Sequence, residues 1–62
     1  MSFAELPIDT QIKISNLIYD APLWFISPNP QLGGRPPSEL YGTPDWSMVL
    51  NILNAAEEGF FS

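Results

Sequence analysis

The sequence predicts an all-α fold, a small bundle of three to four short helices with a rigid loop rich in proline and glycine. Apolar residues recur at spacings of three and four in residues 8–19 and 44–58, as on one face of a helix. Helix-start signals precede three segments. Residues 28–37, PNPQLGGRPP, hold four prolines and two glycines, so we expect neither helix nor strand there.

The length of 62 residues predicts one domain, 1–62, with an N-terminal helix in residues 1–20 and a second region in residues 21–62. A chain this short buries only about 60% of the surface that it exposes when unfolded. Small domains usually gain stability from disulfides, a metal or a partner chain. Because the sequence has no Cys and no His, a partner or an efficiently packed helical core remains.

The net charge of −5, with Lys13 and Arg35 as the only cationic side chains, disfavours several classes of partner. Nucleic-acid binding rests on several Lys or Arg contacts to phosphates, so we expect none. Anionic membrane surfaces also attract basic helices. The N-terminus lacks the basic and apolar regions of a signal peptide, and the apolar run APLWFI is too short to span a bilayer. We therefore predict a cytoplasmic protein without membrane contact.

The first two helices are predicted on either side of Asp20. Residues 8–19 fit a helix capped by Asp9 or Thr10, although their β-branched side chains also permit a strand. Asp20 then precedes Ala21 and Pro22, as an N-cap precedes a proline in the first turn. This second helix runs to about residue 26. Tyr19 and Trp24 have the spacing of a hydrophobic staple around its start.

The loop 28–37 is predicted to be stiff and to contain a tight turn. Prolines fix φ, and Gly33 and Gly34 permit positive φ. Asn29 is expected to form an Asx turn. For Arg35 two roles stay open: tying the loop to backbone carbonyls or to a carboxylate such as Asp45 or Glu39, or forming a salt bridge to a partner.

Two further helices follow the loop. Pro37 at the first helical position, with Glu39 two residues later, predicts a one-turn helix at residues 38–41. Thr43 and Pro44 repeat the start signal for a last helix over residues 44–58, and Gly59 suits the C′ position after it.

The last helix is apolar over most of its circumference, which is typical of a helix buried on two sides. One stripe comprises Trp46, Val49, Leu50, Leu53 and Ala56, and a second comprises Met48, Ile52 and Ala55. A domain this small can cover only one of them. Phe60 and Phe61 then either fold back on the core or anchor an interface. Trp24 and Trp46 are expected in the core.

Catalytic and metal-binding patterns are missing. The lack of His excludes a Ser-His-Asp arrangement, and the adjacent Glu57 and Glu58 point in different directions on a helix. Scattered acids without His or Cys give no metal-ligand spacing. The stretch LGGRPPS lacks the spacing of a Walker motif. We expect no enzyme, no metal and no cofactor.

Two runs, LWFISPNPQLGGRPPSEL and VLNILNAAEEGFFS, resemble the toxin-binding domain at the C-terminus of Xre/MbcA/ParS-type antitoxins. The resemblance covers residues 21–62, and the block PNPxLGGRxP is its most specific part. The positions that match the structural part of the family's pattern are Trp24, Pro28, Asn29, Pro30, Leu32, Gly33, Gly34, Pro37 and Leu40.

The resemblance implies an inhibitor of RES-domain toxins, which consume NAD or transfer ADP-ribose from it. The family's N-terminal helix-turn-helix domain has no counterpart in these 62 residues, so we expect no DNA binding. Alternatives are an immunity protein or phage-encoded mimic acting on such a toxin, or a self-assembling module that forms a homodimer. The residues predicted to bind the toxin are Arg35, Asn54, Glu57, Glu58, Gly59, Phe60, Phe61 and Ser62.

Overall fold

A computed structural model describes residues 1–59, which form four α-helices and two short 3-10 helices. The α-helices are α1 (Ile8–Leu17), α2 (Ala21–Ile26), α3 (Pro37–Leu40) and α4 (Trp46–Glu57), and the 3-10 helices span Phe3–Glu5 and Pro30–Leu32. Within residues 1–59 there is no β-strand, and Asn29 and Arg35 form an isolated bridge. The predicted all-α bundle is therefore confirmed, and the alternative of a strand in residues 8–19 is wrong.

The first 3-10 helix is tied to α1, a feature that periodicity did not predict. The Ser2 backbone N–H donates to the Glu5 carboxylate at 2.6 Å. This hydrogen bond lowers the pKa of Glu5. The Gln11 side-chain amide donates to the carbonyls of Ala4 and Leu6, at 3.1 and 2.8 Å. Leu6 is thereby held in the core, where it is 3% exposed.

Helix α1 starts earlier than the predicted caps and ends earlier than residue 19. Pro7 occupies the N-cap position, and its carbonyl accepts from the Gln11 N–H at 3.0 Å, so the prediction that Asp9 or Thr10 caps the helix is wrong. The helix stops because Ile18 is extended, with φ −121° and ψ 126°. The turn that follows leaves Tyr19 fully exposed, so the predicted staple with Trp24 is also wrong.

The core is one cluster to which α-helices and loop all contribute. Phe25 is completely buried and meets the rings of Phe3 and Trp46 edge to face, at centroid distances of 5.9 and 6.5 Å. Trp24 and Trp46 are half-buried against this cluster, as expected for core-facing tryptophans. The buried residues of the cluster are Leu6, Ile14, Ala21, Phe25, Leu32, Leu40, Val49 and Leu53.

Helix α4 begins at Trp46, two residues after the predicted start. The Thr43 hydroxyl donates back to the Leu40 carbonyl at 2.6 Å, so its side chain does not cap α4 as predicted. The Trp46 N–H instead donates to the Thr43 carbonyl at 3.1 Å. At the other end, Gly59 has φ +82° and donates its N–H to the Ala56 carbonyl at 3.1 Å. The C′ role predicted for Gly59 is confirmed.

Candidate functional site

The proline-glycine loop is folded back on itself by hydrogen bonds that converge on Asn29. The Asn29 side-chain oxygen accepts from the Gln31 N–H at 2.9 Å, which confirms the Asx turn. Its carbonyl accepts from the N–H groups of Leu32 and Gly34, at 2.9 and 3.0 Å. The expectation that this segment contains no helix is wrong for residues 30–32, because the Asx turn starts a single 3-10 turn.

Positive φ at two consecutive residues closes this turn. Gly33 has φ +72° and Gly34 has φ +83°, values that side chains disfavour and glycine adopts freely. The Asn29 N–H then donates to the Arg35 carbonyl at 3.2 Å across the base of the loop. The glycines therefore serve the turn geometry, as the sequence predicted.

The resemblance motif divides into buried and exposed residues. Leu32, Pro37 and Leu40 are buried and anchor the loop and α3 in the core. Pro28 and Pro30 are exposed, and their effect on the fold comes through restricted backbone angles. Pro37 stands at the first position of α3, as predicted, although α3 ends at Leu40 and leaves Tyr41 outside it.

Arg35 ties the loop to the approach of α4. Its Nε donates to the Leu32 carbonyl at 3.3 Å, and its guanidinium lies 3.3 Å from the Asp45 carboxylate. The expected tie to Asp45 is confirmed, and Glu39 is not the carboxylate used. About half of the Arg35 side chain remains exposed. Its toxin contact stays a prediction.

The other residues predicted to bind the toxin gather at the carboxyl end of α4. Asn54, Glu57 and Glu58 are exposed within the last turn and a half, and Gly59 follows as the cap. Glu57 lies 3.9 Å from the Lys13 ammonium of α1. The predicted contacts of Phe60, Phe61 and Ser62 lie outside the described residues.

Arg35 is not part of this group. It pairs with Asp45, immediately before α4, whereas Glu57 ends that helix. Twelve helical residues separate the two ends, which corresponds to about 18 Å at 1.5 Å per residue. The structure therefore brings together the acidic end of α4 but places Arg35 at the opposite end.

A groove runs along the side of α4 that the core leaves open. Two depressions of about 470 and 520 Å³ share Gln31 and Ile52 and so form one continuous surface, which we call the neutral groove. It is lined by Leu17, Ile18, Tyr19, Trp24, Asn29, Gln31, Met48, Asn51, Ile52 and Ala55.

The second apolar stripe of α4 supplied the signal for this groove. Met48, Ile52 and Ala55 all line it, whereas Val49, Leu53 and Ala56 of the first stripe are buried. Leu50 departs from the first stripe, because it is 41% exposed. The contributions of α1, α2 and the loop to the groove depend on contacts between distant segments, and sequence periodicity does not reveal them.

Further searches of residues 1–59 returned two negative findings. No cluster of three or more Asp, Glu, His or Cys side chains is arranged to hold a metal ion. None of the helices in this range has both the length and the apolar character needed to cross a membrane.

Comparison with known proteins gave no match to a protein-family model, a curated protein or a solved structure. The antitoxin resemblance therefore rests on the loop motif and the residues around it.

Proposed function

We propose that this chain is an antitoxin-like inhibitor that binds a RES-class toxin and blocks its active site. The observation that carries the proposal is the PNPQLGGRPP segment, where each distinctive residue has a structural task. Asn29 forms the Asx turn, Gly33 and Gly34 adopt positive φ, and Arg35 bonds to Leu32 and Asp45. A sequence that used this motif only by chance would have no reason to satisfy all of these requirements.

The acidic end of α4 is the part that we assign to the toxin. An NAD-binding cleft accommodates a pyrophosphate and commonly carries Arg or Lys for this purpose. Glu57 and Glu58 are exposed and project beyond the last turn of the bundle. With Asn54, Phe60, Phe61 and the Ser62 carboxylate, they offer an acidic and aromatic end to a basic cleft. Inhibition then follows from occupying the cleft in place of NAD.

The loop contributes by preorganisation. It fixes the approach to α4 through Arg35 and Asp45, while Leu32 and Leu40 anchor it in the core. A segment that is already ordered loses less conformational entropy on binding. Prolines reduce this cost further, because they restrict the unbound chain as well. The toxin can therefore meet a rigid helix end.

Co-expression of the tagged full chain with RES-class toxins tests this proposal. We expect co-purification of a toxin and protection of the cellular NAD pool. Deletion of residues 60–62 retains the Gly59 cap and should release NAD loss again. If the deleted chain binds and neutralises the toxin as well as the full chain does, the assignment of the tail is wrong.

A charge reversal provides a second test with a matched control. Glu58→Lys places a cation at the proposed contact, whereas Glu39→Lys makes the same change on α3, at another exposed position. We expect Glu58→Lys to weaken toxin affinity about tenfold or more, since like charges oppose each other in the cleft. Equal effects of the two substitutions would indicate general attraction by net charge and would refute a local contact.

A further inference from the structure

The neutral groove stands out because charge is absent from it in a strongly acidic chain. The nine charged side chains of the sequence all fall within residues 1–59, and none of them lines the groove. Its walls are apolar side chains with amides from Asn29, Gln31 and Asn51. A basic or acidic partner would therefore find no complementary charge there.

The groove also exposes apolar side chains that a stable surface normally covers. Met48 is 36% exposed in its wall, and Tyr19 at its edge is fully exposed. Large contiguous apolar surfaces on small soluble proteins usually mark interaction sites. The occupant must itself be apolar and uncharged over the contact, because a buried charge without a partner is costly.

We propose that the neutral groove is a homodimer interface, occupied by the same groove of a second copy. In a two-fold arrangement one surface must be complementary to itself. An uncharged groove meets this condition electrostatically, whereas any other surface of a chain with net charge −5 would place acids against acids. Ile52 and Gln31 belong to both depressions and so lie near the centre of the contact.

This arrangement leaves the toxin contact free. Glu57 and Glu58 do not line the groove, and Arg35 lies near Asp45 at the other end of α4. Each copy of the dimer then presents its own acidic helix end. The inference does not depend on the proposed toxin, because dimerisation needs only this chain.

The charge distribution also fixes the sign of the salt dependence. Two chains of net charge −5 repel each other, and the contact itself contains no ion pair among the described residues. Salt screens the repulsion and strengthens apolar association. Dimerisation should therefore become tighter as salt increases, whereas binding of the acidic helix end to a basic toxin should become weaker.

Sedimentation equilibrium of the full chain, without toxin, tests the proposal. The monomer has a mass of 6.9 kDa, and we expect twice that mass with a dissociation constant of about 10–100 µM, typical of small interfaces. Met48→Glu, in the groove, should raise this constant at least tenfold. Leu50→Glu is the matched control, because it makes the same change at a similarly exposed position of α4 outside the groove. Circular dichroism verifies that both variants remain helical.

Three results would overturn the inference. The chain could stay monomeric up to about 1 mM, the weak limit of specific association, which includes the case in which residues 60–62 cover the groove in the same chain. Met48→Glu and Leu50→Glu could weaken the dimer equally. Added salt could dissociate the dimer, which would indicate a charged interface. Should the Met48→Glu variant lose helicity, Ala55→Gln replaces it as the groove variant, judged against the same control.

Failure of this inference is distinguishable from failure of the proposed function. A monomeric chain that still neutralises a toxin removes only the dimer. A dimeric chain that binds no RES-class toxin removes only the inhibitor. Toxin binding by Met48→Glu separates the two surfaces, since this variant should bind the toxin with unchanged affinity.

Discussion

The two ends of α4 are held in different ways. At the amino end, Asp45 pairs with Arg35 at 3.3 Å, and the Thr43 hydroxyl bonds to Leu40 at 2.6 Å. At the carboxyl end, the single ion pair is the exposed one between Lys13 and Glu57, at 3.9 Å, among the residues described. The comparison teaches that the proline-glycine loop fixes one end of α4, while the other end has its polar side chains available.

Burial follows the same division. Leu32, Pro37 and Leu40 are buried next to the amino end of α4. The polar residues of the last turn, Asn54, Glu57 and Glu58, are exposed, although Leu53 and Ala56 beside them reach the core. A change in the loop should therefore cost stability, and a change in the last turn should cost little. Three predictions test this difference.

Leu32→Ala should produce the largest effect. Leu32 is completely buried, and removing a buried leucine side chain costs about 2–5 kcal/mol. A domain of this size has a stability of about 3–9 kcal/mol, so a large fraction of the variant should unfold at room temperature. Urea denaturation followed by circular dichroism measures the loss. Gln31→Ala, at the exposed neighbouring position, is the control and should change stability by less than about 0.5 kcal/mol.

Gly34→Val should have an intermediate effect that comes from the backbone alone. Gly34 has φ +83°, and no atom lies within 4 Å of the position that a Cβ would take. Left-handed backbone costs an L-residue about 1–2 kcal/mol, with β-branched Val at the upper end. We expect a melting temperature lower by about 4–8 °C for each kcal/mol.

Gly34→Asn serves as the control, because Asn tolerates the left-handed region better than other side chains. Its loss should be smaller than that of Val. Equal losses for the two variants would show that something other than backbone strain makes glycine necessary, and would weaken the account of this turn.

The two ion pairs should give the smallest effects, in a defined order. Double-mutant cycles on Arg35 and Asp45 should yield about 0.5–1 kcal/mol, and those on Lys13 and Glu57 about 0–0.5 kcal/mol. Both pairs are half-exposed, but the first is shorter, and Arg35 is further oriented by its bond to Leu32. Arg35→Lys keeps the charge and should still lose part of the coupling. A stronger coupling at Lys13 would reverse the comparison between the ends.

Local signals predicted much of the loop. The Asx turn at Asn29, the positive φ of Gly33 and Gly34, and the start of α3 at Pro37 all depend on residues within a few positions. The same reasoning failed at the start of α1, because a proline in the N-cap position displaced the side-chain caps. It also failed for Thr43, whose hydroxyl bonds backwards to Leu40.

The candidate site was predicted less evenly. The second stripe of α4 indicated that part of this helix would remain open, and Met48 and Ile52 do line a groove. Arg35 was grouped with the acidic helix end because both belong to the resemblance. The structure separates them, since the loop meets α4 at its start. Sequence spacing gives no information on which end of a helix a distant loop reaches.

The sequence by itself determined the helical fold, the turn in the proline-glycine loop and the termination of α4 at Gly59, since proline and glycine restrict or permit backbone angles locally. Only the tertiary structure decided which stripe of α4 is covered, where Leu17, Trp24 and Ile52 form the neutral groove, and that Lys13 meets Glu57. These features depend on contacts between segments distant in the chain, where burial of apolar surface outweighs local preference.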